Sequence, residues 1–219
     1  MTQPSRPSKA TVIVIDDDEG VREALQGLLE SVGLYVEVFG SVQEFLDAKR
    51  PASPGCMILD IRLPGQSGLE FQEALAQSES TSPIILISAY ADVPMSVRAM
   101  KAGAIEVLTK PVREQELLEA VQRAIEQDSA RRSNAQVRAL IKARFGKLTE
   151  RERQVMAFVV TGMQNKQIAA AMAVTEATVK LHRGQVMRKM EAGSVVELVR
   201  MADGLGQSQA KPTGTSTRV

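Results

Sequence analysis

Polar residues stand at the carboxyl ends of successive short apolar runs in the first half of this chain. A short apolar run bounded by polar or turn residues is typical of a buried strand. When such strands are parallel, their carboxyl ends meet at one edge of the sheet, where open α/β sheets hold their ligands. The residues are Asp16 and Asp17 after Thr11–Ile15, Asp60 after Met57–Leu59, Ser88 after Ile84–Ile87, and Lys110 before Pro111. We therefore predict one crevice that these side chains share.

The predicted crevice combines three carboxylates with one lysine, and this composition indicates its chemistry. Two like charges about 4 Å apart repel by roughly 4 kcal/mol at a surface-like dielectric, so a bound cation would relieve the cluster. Ligands that are all oxygen favour a hard ion, and Mg²⁺ leaves several of its positions to water and phosphate oxygens. A metal ion and an ammonium group together neutralise a transferring phosphoryl group. The cluster is therefore typical of a site that handles phosphoryl groups.

The pattern of elements divides the chain into an α/β half and a helical half. Short apolar runs alternate with amphipathic stretches, which predicts a doubly wound, flavodoxin-like parallel sheet. Residues 113–142 contain neither Gly nor Pro, and they predict one long helix or two helices with a frayed join. The predicted divisions are a disordered start at 1–9, an α/β domain at 10–127, a linker helix at 128–145, an all-α domain of four helices at 146–203, and a disordered tail at 204–219.

Charge is divided in the same way. The formal net charge of +1 conceals 11 basic and 19 acidic side chains in residues 1–126, against 16 basic and 7 acidic ones in residues 127–219. An acidic domain joined to a basic one indicates nucleic-acid binding by the second half. The single cysteine, Cys56, excludes a disulfide within the chain, and no apolar run is long enough to span a membrane. The start lacks a signal peptide, so the expected location is the cytoplasm.

The basic half carries the spacing of a helix-turn-helix. Thr149 and Glu152 predict a capping box, and two further helices are predicted at 165–172 and 176–190. Two short helices joined by a tight turn, the second of them basic, are typical of double-stranded DNA binding. Helical spacing predicts an inward face of Val179, Val186 and Met190 with His182 at its edge, and an outward face of Lys180, Arg183, Gly184 and Met187.

The first half resembles the receiver domain of two-component response regulators over about residues 10–127. The resemblance rests on the strand-end residues, on Asp60-Ile61-Arg62-Leu63-Pro64-Gly65, and on Asp92-Val93-Pro94-Met95 with Met100-Lys101-Ala102-Gly103-Ala104. It implies that Asp60 accepts a phosphoryl group from a phosphohistidine of a partner kinase. It also implies that Asp16, Asp17, Asp60 and the Arg62 backbone carbonyl hold Mg²⁺, while Ser88 and Lys110 bind the phosphoryl oxygens.

One position departs from the receiver family. Three residues before the lysine, the family usually has Tyr or Phe, whose ring turns inward on phosphorylation; here this switch position is Val107. Valine has no ring to move and is stiff at χ1. Two interpretations stay open: a switch that works through Ser88 and loop movement alone, or a regulator that does not need phosphorylation.

The second half resembles the four-helix output domain of the NarL/FixJ, or LuxR-type, regulators over about residues 147–201. The motif residues are Leu148-Thr149-Glu150-Arg151-Glu152, Val155, Gly162, Asn165-Lys166, Ile168-Ala169 and Thr178-Val179-Lys180. The resemblance implies base contacts at Lys180, Leu181 and the position of Gly184. Glycine has no side chain, so either the backbone approaches DNA there or Arg183 takes over the readout. The other predicted DNA-binding residues are Thr178, His182 and, toward phosphates, Lys166, Arg188 and Lys189.

Together these features predict a transcriptional regulator of the NarL/FixJ type. A sensor histidine kinase is expected to phosphorylate Asp60, after which a homodimer binds paired half-sites in double-stranded promoter DNA. RNA polymerase is a further candidate partner, and neither a membrane partner nor enzymatic activity beyond phosphorylation and dephosphorylation of Asp60 is expected. One alternative is a phosphorylation-independent DNA-binding regulator, which Val107 favours. Another is a Mg²⁺-dependent aspartyl-phosphate hydrolase, in which the basic helical domain has no role.

Overall fold

The structure is a computed structural model that describes residues 10–48, 55–77, 82–90 and 92–205. The chain divides into two compact units, of which the first ends at Arg132 and the second begins at Ser133. This division lies inside the segment 128–145 that the sequence predicts as a linker helix. The predicted disorder of residues 1–9, and of residues 206–219 of the predicted tail, lies outside the described residues. For the first two residues of that tail the prediction is wrong, because Gly204 is the last residue of a helix and Leu205 packs against an apolar core.

The first unit is built on one parallel sheet, whose strands are ordered β2-β1-β3-β4-β5. The strands are β1 (Thr11–Ile15), β2 (Tyr35–Phe39), β3 (Gly55–Asp60), β4 (Ile84–Ser88) and β5 (Glu106–Thr109). Both β3 and β4 are buried along their whole length, as expected for central strands that are covered on both faces. The predicted flavodoxin-like, doubly wound sheet is confirmed.

Helices connect successive strands and cover both faces of the sheet. They are α1 (Glu19–Ser31), α2 (Val42–Asp47), α3 (Gly68–Gln77), α4 (Val93–Lys101) and the first part of α5 (Glu114–Gly146). Leu29 of α1 and Leu117 of α5 belong to an apolar cluster on one face, and Phe71 of α3 and Ala99 of α4 belong to a cluster on the other. The sheet is therefore the middle of three layers, and its strand ends form the edge at which the polar residues lie.

The helix α5 is a single element of 33 residues. Its early turns bury Leu117, Val121 and Ala124 in the first unit. Residues 133–140 are exposed, and Ile141 then joins the core of the second unit. Of the two predicted arrangements, the unbroken helix is confirmed.

The second unit is helical. After the end of α5 it contains α6 (Glu150–Val160), α7 (Asn165–Met172), α8 (Glu176–Met190) and α9 (Val195–Gly204). The predicted capping box is confirmed, because the Thr149 N–H donates to Glu152 Oε2 at 2.7 Å and the Glu152 N–H donates to Thr149 Oγ1 at 3.3 Å. Among the described residues, no helix is long and apolar enough to cross a membrane.

Candidate functional site

Three side chains from separate strand ends meet at the carboxyl edge of the sheet. Asp16 follows β1, Asp60 ends β3, and Lys110 follows β5. The Lys110 ammonium lies 2.7 Å from Asp16 Oδ2 and 2.5 Å from Asp60 Oδ2. Asp16 is fully buried and Asp60 nearly so. Because a buried carboxylate needs a partner of opposite charge, Lys110 is part of what makes this arrangement stable.

Backbone groups orient both buried carboxylates through their second oxygen. Asp16 Oδ1 accepts a hydrogen bond from the N–H of Asp18 at 3.0 Å, and Asp60 Oδ1 accepts one from the N–H of Arg62 at 2.9 Å. The Arg62 side chain is exposed, with its guanidinium 5.0 Å from the centre of the Tyr90 ring. The role of the Arg62 carbonyl as a metal ligand stays a prediction.

Asp17 completes a cluster that could hold a cation. Asp16, Asp17 and Asp60 each offer one carboxylate oxygen, and these oxygens lie within 4.8 Å of one another. A ligand set made only of carboxylate oxygens fits Mg²⁺, which usually keeps several waters in its shell. Asp17 is exposed, so its side of the cluster is open to water and to phosphate oxygens. The residues therefore fit the predicted ion.

Burial and ion pairing act on the two ends of the Lys110–Asp16 contact in different ways. Burial raises the pKa of Asp16, and the hydrogen bonds from Lys110 and Asp18 offset this only in part. Burial alone would lower the pKa of Lys110, but its hydrogen bonds to Asp16 and Asp60, together with their charges, outweigh burial and raise that pKa. Lys110 is consequently a cation at neutral pH and can attract the oxygens of a phosphoryl group.

The predicted switch residues, Ser88 and Val107, lie on neighbouring strands. Ser88 ends β4 and is fully buried, and its Oγ donates to the Tyr90 carbonyl at 3.1 Å. Val107 lies on β5 beside Leu86 of β4 and is half-buried against an apolar cluster. The Ser88 hydroxyl must therefore give up a local partner before it can bind a phosphoryl oxygen. Val107 is packed as an ordinary apolar residue.

Gly68 supports the site, although the sequence analysis does not identify it. It is the first residue of α3, and its N–H donates to the Ile61 carbonyl at 3.0 Å. A Cβ on this residue would lie 2.0 Å from the backbone oxygen of Asp60. Only glycine allows this approach, which fixes the chain directly after Asp60. No local signal separates it from the turn glycine Gly65, so the sequence could not single it out.

Asp128 is a second residue that the sequence analysis misses. Its side chain is fully buried, and Oδ2 accepts a hydrogen bond from the N–H of Gly55, the first residue of β3, at 2.9 Å. Arg131 and Arg132 each pair with it at 2.6 Å. Burial alone would raise the pKa of Asp128, but the hydrogen bonds from Arg131, Gly55 and Arg132 outweigh burial and lower it. Asp128 therefore anchors α5 to the end of β3 opposite to Asp60.

In the second unit, α7 and α8 form the predicted helix-turn-helix. Val179, Val186 and Met190 of α8 are fully buried, which confirms the predicted inward face. Thr178 and His182 are half-buried. The exposed members of the predicted DNA-binding set are Lys166 on α7 and Lys180, Leu181, Gly184 and Arg188 on α8. The contact of these five exposed residues with DNA stays a prediction.

Two residues that the sequence assigns to the outward face of α8 lie elsewhere. Met187 is half-buried and packs against the core of the second unit. Arg183 is also half-buried, and its Nη1 donates to Asn165 Oδ1 at 3.0 Å. The assignment of Arg183 to the outward face is wrong, because Arg183 follows Val179 by four residues and precedes Val186 by three. This spacing puts it on the buried stripe of the helix. The assignment of Met187 is wrong for the same reason, because Met187 precedes the buried Met190 by three residues.

Lys189, which the sequence analysis assigns to a DNA phosphate, has a partner within the unit. Its Nζ donates to Glu152 Oε2 at 2.6 Å. Glu152 is buried, and the same oxygen accepts the N–H of Thr149. Lys189 thus connects the last turn of α8 to the capping box of α6.

Comparison with known proteins agrees with both halves of this description. The sequence model of the response regulator receiver domain family matches residues 12–122. The sequence model of the bacterial regulatory proteins of the luxR family matches residues 146–202. A receiver domain joined to a LuxR-type DNA-binding domain defines a transcriptional response regulator.

Individual relatives extend over nearly the whole chain. Nodulation protein W of Bradyrhizobium diazoefficiens is 48% identical over 201 residues, which are 92% of this chain and 88% of that protein. The transcriptional regulatory protein FixJ of the same organism is 39% identical over 195 residues, which are 89% of this chain and 95% of FixJ. The solved structure of the response regulator StyR is 44% identical, with a TM-score of 0.80, and the match covers 89% of this chain and 98% of StyR. The chain belongs to the NarL/FixJ family of response regulators.

Proposed function

We propose that this response regulator is switched by transfer of a phosphoryl group from a sensor histidine kinase to Asp60, and that it then binds promoter DNA. The observation that carries the proposal is the contact of one ammonium group, that of Lys110, with both Asp60 and Asp16 at the edge of the sheet. This arrangement places an ammonium group beside a carboxylate that is oriented by the backbone, and both features favour phosphoryl transfer.

Each residue of the cluster has a role in this proposal. An Asp60 carboxylate oxygen forms the new bond to phosphorus while the bond between phosphorus and the kinase histidine breaks, and the histidine nitrogen keeps the electron pair. Lys110 donates to the oxygens of the transferred group, and Ser88 does so after releasing the Tyr90 carbonyl. Asp16, Asp17, Asp60 and the Arg62 carbonyl would hold Mg²⁺, which supplies charge that neutralises the phosphoryl oxygens.

The outward surface of α8 is the proposed reader of double-stranded DNA. Lys180, Leu181 and the backbone at Gly184 would meet base edges in the major groove, with Thr178 and His182 beside them. Lys166 and Arg188, both exposed, would contact phosphates. Lys189 is left out of this set because its ammonium is already paired with Glu152.

Phosphorylation would act by bringing two copies together on paired half-sites. Each good base contact contributes only about 1–3 kcal/mol of discrimination, so a dimer reads a promoter far better than a monomer. RNA polymerase is the proposed further partner of the bound dimer. The location in this proposal is the cytoplasm, where DNA and a phosphohistidine donor meet. No catalysis beyond phosphorylation and dephosphorylation of Asp60 is proposed.

The competing candidate is a regulator that binds DNA without phosphorylation. The observation that favours it is Val107, which is packed into an apolar cluster and has no ring to move. The two candidates differ in one measurable respect, which is whether a phosphoryl mimic on Asp60 changes assembly and DNA affinity.

Light scattering of the full-length protein with Mg²⁺, before and after addition of beryllofluoride, tests the proposal. We expect the molar mass to change from that of a monomer to that of a dimer, and Asp60→Asn to abolish the change. Asp47→Asn alters an exposed carboxylate outside the cluster and should respond like the wild type. An unchanged mass, together with equal DNA affinity with and without beryllofluoride, would contradict the proposal and favour the phosphorylation-independent regulator.

A further inference from the structure

The hydrogen bond between Arg183 and Asn165 joins the two helices of the helix-turn-helix. Asn165 is the first residue of α7, and Arg183 lies near the middle of α8. Arg183 Nη1 donates to Asn165 Oδ1 at 3.0 Å, and both residues are half-buried. This bond orients the guanidinium of Arg183, because it limits the rotamers that the long side chain can adopt.

The stem of Arg183 lies on the buried stripe of α8. Val179 and Val186, on either side of it along the stripe, are both fully buried. The exposed neighbours Lys180 and Gly184 face away from this stripe. Because Asn165 holds the guanidinium through Nη1 beside this buried stripe, turning the side chain toward a base edge on the exposed face of α8 would compete with that bond.

We propose that Arg183 is a positioning residue, which sets the angle between α7 and α8 on DNA through Asn165 and does not itself read a base. The inference rests on the proposed binding of double-stranded DNA by the second unit. A side chain reads a base only when it meets the distance and angle limits of a hydrogen bond at the base edge in the major groove. Phosphate contacts are numerous and carry no sequence information. A change in the tilt of α8 therefore weakens binding to a selected sequence more than binding to an arbitrary one.

The test compares affinities for two duplexes. The full-length protein, with Mg²⁺ and beryllofluoride, first selects a duplex from a randomised pool. Affinity is then measured for this duplex and for a shuffled duplex of the same length, about 30 base pairs, which accommodates two half-sites one helical turn apart. The readout is the ratio of the two affinities at one salt concentration, because a general loss of folded protein lowers both affinities equally and leaves the ratio unchanged.

Two variants remove the same bond from opposite ends. We expect Arg183→Met, which keeps an apolar stem, and Asn165→Ala each to lower the ratio about tenfold, the effect of one disturbed base contact. The double variant should lower the ratio no further, because the effects of two substitutions that remove the same hydrogen bond do not add. Asn165→Asp keeps an acceptor for the guanidinium and should restore the ratio, although its added charge weakens binding to both duplexes.

Thr149→Ala is the control for a loss of stability that leaves the α7–α8 contact intact. It removes the capping box of α6, and the ratio should stay at the wild-type value.

Loss of preference at a single base pair in Arg183→Met, but not in Asn165→Ala, would show that Arg183 reads a base and would overturn the inference. Unchanged ratios in both single variants would overturn it as well. If the wild type selects no duplex with or without beryllofluoride, the proposed function itself fails, and that result is distinct from the other two.

Discussion

Replacement of Asp128 by alanine would measure how much a buried ion cluster contributes to the first unit. The change leaves the Gly55 N–H without its acceptor, and a buried donor without a partner costs about 1–3 kcal/mol. The ion pairs contribute less, because the side chains of Arg131 and Arg132 are 40% and 30% exposed and water screens their charges. Discounted for that exposure, both pairs together contribute about 1 kcal/mol. We therefore expect Asp128→Ala to lower the free energy of unfolding of the first unit by about 3 kcal/mol.

Tyrosine fluorescence makes this measurement specific to the first unit. The chain has two tyrosines, Tyr35 and Tyr90, and no tryptophan, and both tyrosines precede the division at Arg132. In urea titrations of the full-length protein, Asp128→Ala should lower the midpoint and leave the slope unchanged. Glu126 is exposed on the same helix, and as a matched control Glu126→Ala should change the free energy of unfolding by less than about 0.5 kcal/mol. A loss below about 1 kcal/mol in Asp128→Ala would refute the assigned contribution of the buried cluster.

The same cluster, the glycine at the start of α3 and the capping box of α6 lead to further predictions. The pKa of Asp128 is lowered in the folded unit, so its contribution to stability is present above the unfolded pKa of about 3.9 and is lost as the pH falls through the folded pKa. Urea titrations should therefore give a constant difference between wild type and Asp128→Ala from about pH 7 to 5, and a smaller difference near pH 3. Gly68→Ala should abolish beryllofluoride binding at Asp60, measured by ¹⁹F NMR, since the added Cβ would lie 2.0 Å from the Asp60 backbone oxygen; binding at wild-type strength would contradict this. Thr149→Ala should destabilise α6 by about 1 kcal/mol, seen as faster amide exchange at Val155, and unchanged exchange would argue against the cap.

The acid cluster could be predicted from the sequence because its members obey a rule that needs no long-range information. Each polar residue follows an apolar run, and parallel strands bring their carboxyl ends to one edge. The rule does not predict burial. Asp16 and Asp17 are adjacent, yet the first is buried and the second exposed, because successive residues leaving a strand point in opposite directions. Which of them points inward depends on the pairing of β1 with its neighbours, and spacing alone does not reveal this pairing.

Arg183, which sequence reasoning misplaces, and Asp128, which it does not identify, share one physical feature. Hydrophobic periodicity identifies the buried face of a helix by its apolar residues, so it gives no sign that a charged residue also lies on that face. Arg183 lies between Val179 and Val186 on the buried stripe of α8, and Asp128 follows the buried Ala124 by four residues on the stripe of α5. Position on the stripe decides burial, and the charge then requires a partner. Arg131 and Arg132 pair with Asp128 from three and four residues away on the same helix. Asn165, 18 residues from Arg183, and Gly55, 73 residues from Asp128, become partners only through tertiary structure. A charge on an apolar stripe therefore predicts that a partner exists, and helical spacing can identify a local partner, while a partner distant in sequence can be found only in the fold.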